Sequence, residues 1–288
     1  KFSKKSLKMM VGPLFLLSIP VLVSLIIYQN IEDPKREIEV VIFQPNIDPY
    51  DKKYNTTNKK FFKDFIEKST PYITEKTSYI LTPETYFAEG YGEELSNFSS
   101  SELHKNIQSL LKNYPNLELI TGIQFYNTYF QKEAPSNTAN LVRDNLWVEF
   151  YNSALSEKLE KKPSVYHKSK LVVGVENMPF KSILKPLLGN ILIDLGGTVS
   201  SRVVQNNRVV FSHHLKSEKA APIICYESIF GEFVTDYVKK GASFFAIISN
   251  DAWWGETPGH RQLLSYTRLR AIENRRDIVR SANTGISA

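Results

Sequence analysis

The sequence predicts an α/β layered domain with a mixed sheet, carried behind an apolar N-terminal segment. Short β-type runs alternate with amphipathic stretches of helical spacing, the pattern of strands covered by helices. Leu141-Val142 and Leu146 to Tyr151 flank the polar turn Arg143-Asp144-Asn145, a hairpin that makes part of the sheet antiparallel. Met9 to Tyr28 carry no charged side chain, and as a helix such a run is about 30 Å long, the thickness of a bilayer core.

That apolar run comes first in the chain. Lys1, Lys4, Lys5 and Lys8 precede it, which puts its N-terminal side in the cytoplasm and everything after Asn30 outside. A secretory signal would be shorter and followed by a small-x-small cleavage site, and none follows. Pro13 and Pro20 are tolerated better in a transmembrane helix than in a soluble one. Residues 1–30 are therefore expected to be a transmembrane helix with a basic flank, the tail of a larger membrane region. The charged, proline-containing stretch 31–37 reads as a linker, and 38–288 as one domain.

Within that domain, Glu39 to Phe43 reads as the first strand, followed by a helix around Lys59–Lys68. Tyr79 to Leu81 is a short strand closed by Pro83, Leu103–Lys112 has helical spacing, and Leu117 to Phe125 is the next strand. After the hairpin come strands at Val209-Val210, Pro222–Ile224, Phe244–Ile248 and Ile278–Arg280, with helices near Ile229–Lys239 and His260–Asn274.

With 288 residues, 42% of them hydrophobic, the chain can bury one large core. The net charge of +6 suits an anionic partner or surface, but the basic residues are dispersed without an RNA-binding signature, so no nucleic acid is expected. No zinc-type Cys/His spacing, phosphate loop or dinucleotide fingerprint occurs, so no metal and no cofactor is expected.

Cys225 is the only cysteine, which excludes an intrachain disulfide. It follows the apolar run Ala221-Pro222-Ile223-Ile224, where a buried strand gives way to a helix, a rigid place for a nucleophile beside a helix N-terminus. A lone cysteine fits a small buried hydrophobe equally well. Two more reactive groups end apolar runs: Glu84 after Tyr79-Ile80-Leu81-Thr82-Pro83, and Lys168 after Val165-Tyr166-His167. A carboxylate base, an ammonium that stabilises an oxyanion and favours the thiolate beforehand, and a thiol together suit acyl transfer from an amide or ester. Taken singly, Glu84 and Lys168 also fit solvated surface charges.

In that order, Glu84, Lys168 and Cys225 resemble the Glu-Lys-Cys triad of the nitrilase (carbon–nitrogen hydrolase) superfamily. Further segments resemble one branch of it, the apolipoprotein N-acyltransferases: Val41-Ile42-Phe43-Gln44-Pro45-Asn46-Ile47, Thr82-Pro83-Glu84-Thr85, Tyr151-Asn152-Ser153, Tyr166-His167-Lys168-Ser169-Lys170-Leu171-Val172 and Ile224-Cys225-Tyr226-Glu227. Ser249-Asn250-Asp251-Ala252-Trp253-Trp254-Gly255 and Ala282-Asn283-Thr284-Gly285-Ile286-Ser287 match two late motifs of that branch nearly letter for letter. Thr82 replaces the branch's usual Trp, Tyr54 stands one residue from another, and Val173-Gly174-Val175 lacks the usual Pro-Phe-Gly before Glu176.

The resemblance spans roughly residues 38–288 and implies a nitrilase-like αββα sandwich. It implies a ping-pong reaction: Cys225 takes a fatty acyl chain from a phospholipid donor as a thioester, and the amine of a diacylglyceryl apolipoprotein accepts it. Glu84 would be the base and Lys168 the oxyanion donor. Glu176 would orient them, Tyr226 and Glu227 would shape the pocket wall, and Tyr54 would contact substrate. The reaction would take place on the extracytoplasmic face of a bacterial inner membrane. The branch continues beyond the position of Ala288, so the domain is expected to be truncated there. A membrane-tethered amidase using water as acceptor, and a silent lipid-binding domain, are the alternatives. Met178 to Leu195, rich in Leu and Ile with Lys181 and Lys185, is expected to be an arm that dips into the bilayer.

Overall fold

The computed structural model describes residues 4–30, 37–48, 55–173, 176, 201–255 and 257–288. The chain divides into two compact units, Lys1–Ile38 and Glu39–Ala288. The first holds one helix, α1 (Lys4–Gln29), with Pro13 and Pro20 inside it. Its end is closed by Asn30, whose side-chain amide donates to the Ile26 carbonyl at 2.7 Å. From Val11 to Gln29 the helix is long and apolar enough to cross a membrane, and its side chains are exposed nearly throughout.

The second unit is built on two sheets. The larger takes β1 (Glu39–Ile42), β2 (Thr77–Leu81), β3 (Glu93–Glu94), β4 (Glu118–Phe130), β5 (Asn140–Arg143), β6 (Leu146–Glu157) and β7 (Ser164–His167). Its order is β1-β2-β4-β6-β5, with β3 also on β4 and β7 on β6. β1, β2 and β4 run parallel, whereas β6 is antiparallel to β4, β5 and β7, so the sheet is mixed as the pattern predicts. The smaller sheet holds β8 (Phe211–Ser212), β9 (Lys219–Ile224), β10 (Phe244–Ser249) and β11 (Asp277–Ala282) in the order β11-β10-β9-β8, with β9, β10 and β11 parallel.

Helices cover the outer faces because their apolar residues recur every three or four positions. In α2 (Asn58–Ser69), capped by the Thr57 hydroxyl, Phe61 and Phe65 are buried. In α3 (Glu102–Asn113), capped by Ser101, the buried residues are Leu103, Ile107, Leu110 and Leu111. These side chains share one core with Ile80, Leu119, Ile123 and Phe125 of the larger sheet. α4 (Gly231–Lys239) buries Phe233, Val234 and Tyr237, and α5 (Gly259–Asn274) buries Leu263 and Thr267. The sheets face each other, with Tyr79 of β2 edge-on to Phe244 of β10 at 5.1 Å and the Ser281 hydroxyl of β11 donating to the Phe43 carbonyl at 2.8 Å. The result is the expected αββα sandwich.

Three local expectations change. Val209-Val210 is not a strand: pairing with β9 begins at Phe211, and β-branched residues without a partner strand stay irregular. Cys225 is not followed directly by an α-helix but by a 3₁₀ turn, Cys225–Ile229, and α4 starts only at Gly231. β6 runs past Tyr151 to Glu157, and its buried Asn152, Ser153, Ser156 and Glu157 break the apolar pattern that marks a strand. Tyr54, linker residues 31–36 and the arm 178–195 lie outside the described residues.

Candidate active site

The parallel strands β2 and β9 and the short β7 deliver the three expected groups to one buried place. Beyond the end of β2, Thr82 and Pro83 lead to Glu84, which is 5% exposed. Gly122 of β4 lies directly beneath: a Cβ there would stand 2.2 Å from the Pro83 carbonyl and 2.6 Å from Glu84 Cα, so only glycine lets the loop lie this low. Lys168 follows β7, pinned by its backbone N–H on the Asn152 carbonyl at 2.8 Å, and is 1% exposed. Cys225 follows β9 with φ of +51°, a left-handed conformation that costs a non-glycine residue energy and turns its side chain out of the strand direction.

Lys168 Nζ donates to Glu84 Oε1 at 2.8 Å and to Glu176 Oε2 at 2.7 Å. Burial works against this ammonium, but Glu176 and then Glu84 more than offset that and hold its pKa well above the ordinary lysine value. Glu176 is lowered: burial works against its charge, and Lys168, Arg202 and the Val172 N–H outweigh it. The thiol of Cys225 lies close enough to feel both Glu84 and Lys168, so the three groups converge. Its pKa is pushed up to about 12, first by burial and then by the Glu84 charge, against the smaller opposing pull of Lys168 and the Ser249 hydroxyl. Lys168 does favour the thiolate, as expected, but desolvation and the Glu84 charge outweigh its pull, so the thiol stays raised.

Asn152, which sequence reasoning placed in a motif but not in the site, joins the carboxylates. Its amide nitrogen donates to Glu84 Oε1 at 2.7 Å and to Glu176 Oε1 at 2.9 Å. The signal was a polar residue in a strand otherwise read as apolar. The Asn250 N–H donates to the other Glu84 oxygen at 3.2 Å, so both oxygens are held. Behind them the two late motifs interlock. Asn283 donates to Asn250 Oδ1 at 3.0 Å and to the Ile47 carbonyl at 2.8 Å, and Asp251 pairs with buried Arg280 at 2.8 Å. Gly285, at φ of +87°, leaves room for Asp251, whose Oδ2 would stand 2.7 Å from a Cβ at that position.

Glu227 does not line an open wall. Fully buried, it accepts from the N–H groups of Ile224, Ser169 and Lys170 and from the Tyr166 hydroxyl at 2.8, 2.5, 3.2 and 2.7 Å, tying the Cys225 turn to the Lys168 segment. Burial pushes its carboxyl up to about 7 against the pull of those donors. Half-buried Tyr226 packs edge-on to Phe230 at 5.4 Å. His167, next to Lys168, is lowered by burial to about 4 and stays neutral.

Among the described residues one group offers metal-ligand atoms within 4.8 Å of one another: Glu118, His213 and His214. Glu118 opens β4, four residues before Gly122. His213 Nδ1 accepts from the Leu215 N–H and its Nε2 faces the Asn116 carbonyl, while Lys158 Nζ stands 4.0 Å from Glu118. These contacts occupy the His213 imidazole, while Glu118 Oε2 and His214 Nδ1 are buried without a hydrogen-bond partner among the described residues, and burial pushes the Glu118 carboxyl up to about 7 against the pull of Lys158.

Residues 34–288 match the sequence profile of the carbon-nitrogen hydrolases. The chain is similar to the apolipoprotein N-acyltransferase of Wigglesworthia glossinidia brevipalpis, 33% identical over 144 residues, covering 48% of this chain and 28% of that protein. It is 37% identical over 122 residues to that of Haemophilus influenzae, covering 42% and 22%. The likeness to that of Chlorobaculum tepidum is 26% over 297 residues, covering 99% and 54%. The chain thus spans about half or less of the length of each of these relatives. Among solved structures, a branch 10 nitrilase-superfamily member from Saccharomyces cerevisiae superposes with TM-score 0.53 at 16% identity, covering 85% of this chain and 75% of that one. A CN-hydrolase superfamily protein from Xanthomonas campestris gives 0.57 at 12% identity, covering 87% and 77%. At such identities the likeness is one of fold.

Proposed function

The chain belongs to the carbon-nitrogen hydrolase family, and on that footing we propose that it is an N-acyltransferase working on lipid substrates at a membrane. The observation that carries this reading is the convergence of the Glu84 carboxylate, the Lys168 ammonium and the Cys225 thiol in one buried place. The similarity to the three named apolipoprotein N-acyltransferases supports the choice of N-acyl transfer to a lipoprotein, and the apolar helix α1 supports a location at the membrane.

Cys225 sulfur attacks the ester carbonyl of a phospholipid while its proton passes to Glu84. Because the thiol is raised, proton transfer accompanies attack rather than preceding it. Lys168, kept charged by two carboxylates, stabilises the oxyanion as it develops. The C–O bond then breaks, Glu84 returns the proton to the glycerol oxygen, and a lysophospholipid leaves behind the thioester. In the second half the amine of a diacylglyceryl apolipoprotein attacks the thioester carbon and Glu84 takes an amine proton. As C–N forms and C–S breaks, that proton goes back to sulfur. Glu176 and Asn152 hold Glu84 and Lys168 in register, and Glu227 fixes the Cys225 turn. With α1 across the bilayer and its lysines inside, the catalytic unit faces the extracytoplasmic side.

The test is the intact mass of the chain incubated with phospholipid in detergent. One added fatty acyl group on Cys225, discharged onto a diacylglyceryl-cysteine peptide as an amide, is the expected result. Discharge to water alone would make the protein a hydrolase, and an acyl group on any other residue would overturn the assignment.

A further inference from the structure

We propose that Arg202 binds the phosphate of the acyl donor, an inference that rests on the phospholipid reading above. Strand register leads to it. Gln124 of β4 lies opposite Asn152 of β6, so the two amides stand side by side on one face of the sheet. Asn152 reaches Glu84 and Glu176, and Gln124 Oε1 accepts from both Nη1 and Nη2 of Arg202 at 3.2 Å. The guanidinium thus stands one side chain out from the reacting groups, near enough for its charge to lower Glu176.

Its backbone is fixed to the sheet. Arg202 bridges Phe150, the Val203 N–H donates to the Phe150 carbonyl at 2.9 Å, and Asn140 holds both the N–H and the carbonyl of Ser201. Gln124 is itself anchored on the Tyr91 carbonyl at 3.1 Å. A rigid mount of this kind positions a recognition group rather than a solvated surface charge.

The partner is what points to a ligand. A guanidinium offers five N–H groups in a planar fork suited to a phosphate or carboxylate. Here two of them share a single neutral amide oxygen, and among the described residues no carboxylate forms an ion pair with the guanidinium. The Nε of Arg202 is buried without a hydrogen-bond partner among the described residues. Glu176 makes no hydrogen bond to it among the described residues: its oxygens accept from Lys168, Asn152 and the Val172 N–H, and it meets Arg202 only through space. Arg202 is also only half-buried, so an anion can reach it. A phospholipid brings a phosphodiester a few bonds from the ester that Cys225 would cut. Binding it here would place the carbonyl over the thiol by a group that takes no part in the chemistry.

The experiment compares two donors for acylation of Cys225: phosphatidylethanolamine in nonionic detergent micelles, and p-nitrophenyl butyrate, which has no phosphate. Losing a charge-assisted hydrogen bond of this kind costs roughly 10- to 100-fold, so Arg202→Gln should slow phospholipid acylation by about that factor. With the nitrophenyl ester the same variant should stay near the wild-type rate. Arg202→Lys, which keeps charge but not the fork, should fall between them with phospholipid. Equal loss with both donors would mean that Arg202 acts through Glu176 and would overturn the phosphate site alone. An unchanged phospholipid rate would overturn it too. A wild-type chain that takes butyryl but never a phospholipid acyl group would instead bring down the donor reading itself.

Discussion

At the scale of single residues, the ionisation of Cys225 separates the roles of its two neighbours. A thiol whose pKa is about 12 instead of the ordinary 9.0 is almost wholly protonated at neutral pH. Alkylation by iodoacetamide, which needs the thiolate, should therefore still be climbing well above pH 9 in the folded protein and reach half its plateau rate near pH 9 in urea. Glu84 raises the thiol and Lys168 lowers it, so Glu84→Gln should alkylate faster than wild type at pH 9 and Lys168→Ala more slowly. Both variants should nevertheless lose acyl transfer. Loss of the oxyanion donor costs about 2.7–4 kcal/mol, and loss of the base removes the route for the proton. A Glu84→Gln protein that alkylates more slowly than wild type would mean that Glu84 already draws off the thiol proton at rest. Asn152 offers a second handle. Asn152→Asp sets a third carboxylate beside Glu84 and Glu176, and should shift the pH profile of acylation as well as slow it.

At the scale of elements, the site depends on how closely the loop after β2 lies on β4. Gly122 is where that distance is set, and a methyl group there meets the Pro83 carbonyl and the backbone of Glu84 at less than contact distance. Gly122→Ala must lift the loop. Overpacking of this kind costs roughly 1–3 kcal/mol, read from a urea melt. A displacement on the order of 1 Å at Glu84 should slow acylation by about 100-fold. A variant as stable and as fast as wild type would place the support of Glu84 elsewhere, in Asn250 and Lys168. β6 makes a related point. Its core-facing polar side chains are paired: Ser156 donates to Glu118 at 2.6 Å, His104 and Gln108 meet Glu157, and Asn152 serves the triad. Buried polar residues with partners do not weaken a strand, but they erase the alternation by which a strand is read from sequence.

At the scale of the whole molecule, the two units differ in kind. Glu39–Ala288 has its own core between sheets and helices, whereas Val11–Gln29 of α1 is apolar with its surface exposed nearly throughout. A chain lacking residues 1–36 should therefore melt cooperatively at essentially the same temperature as the parent and lose its sedimentation with phospholipid vesicles. Unchanged sedimentation would place membrane attachment in the catalytic unit. A lost melting transition would show that the helix contributes to the core.

Much of this was readable from the chain itself. Element types are local: the apolar run of α1, the spacing of Phe61 and Phe65, and the short runs before Glu84, Lys168 and Cys225 each announce themselves within a few residues. The groups proposed to react are singled out by the same local motifs together with a resemblance to a known family. Only the tertiary structure decided how those groups behave. Lys168 meets Glu84 across 84 positions of sequence and Asn250 meets it across 166, and no window of sequence contains such sums. The state of the thiol, the bridging amide of Asn152 and the tie made by Glu227 all come from desolvation and through-space charge. Those quantities exist only once strands distant in sequence have been packed side by side.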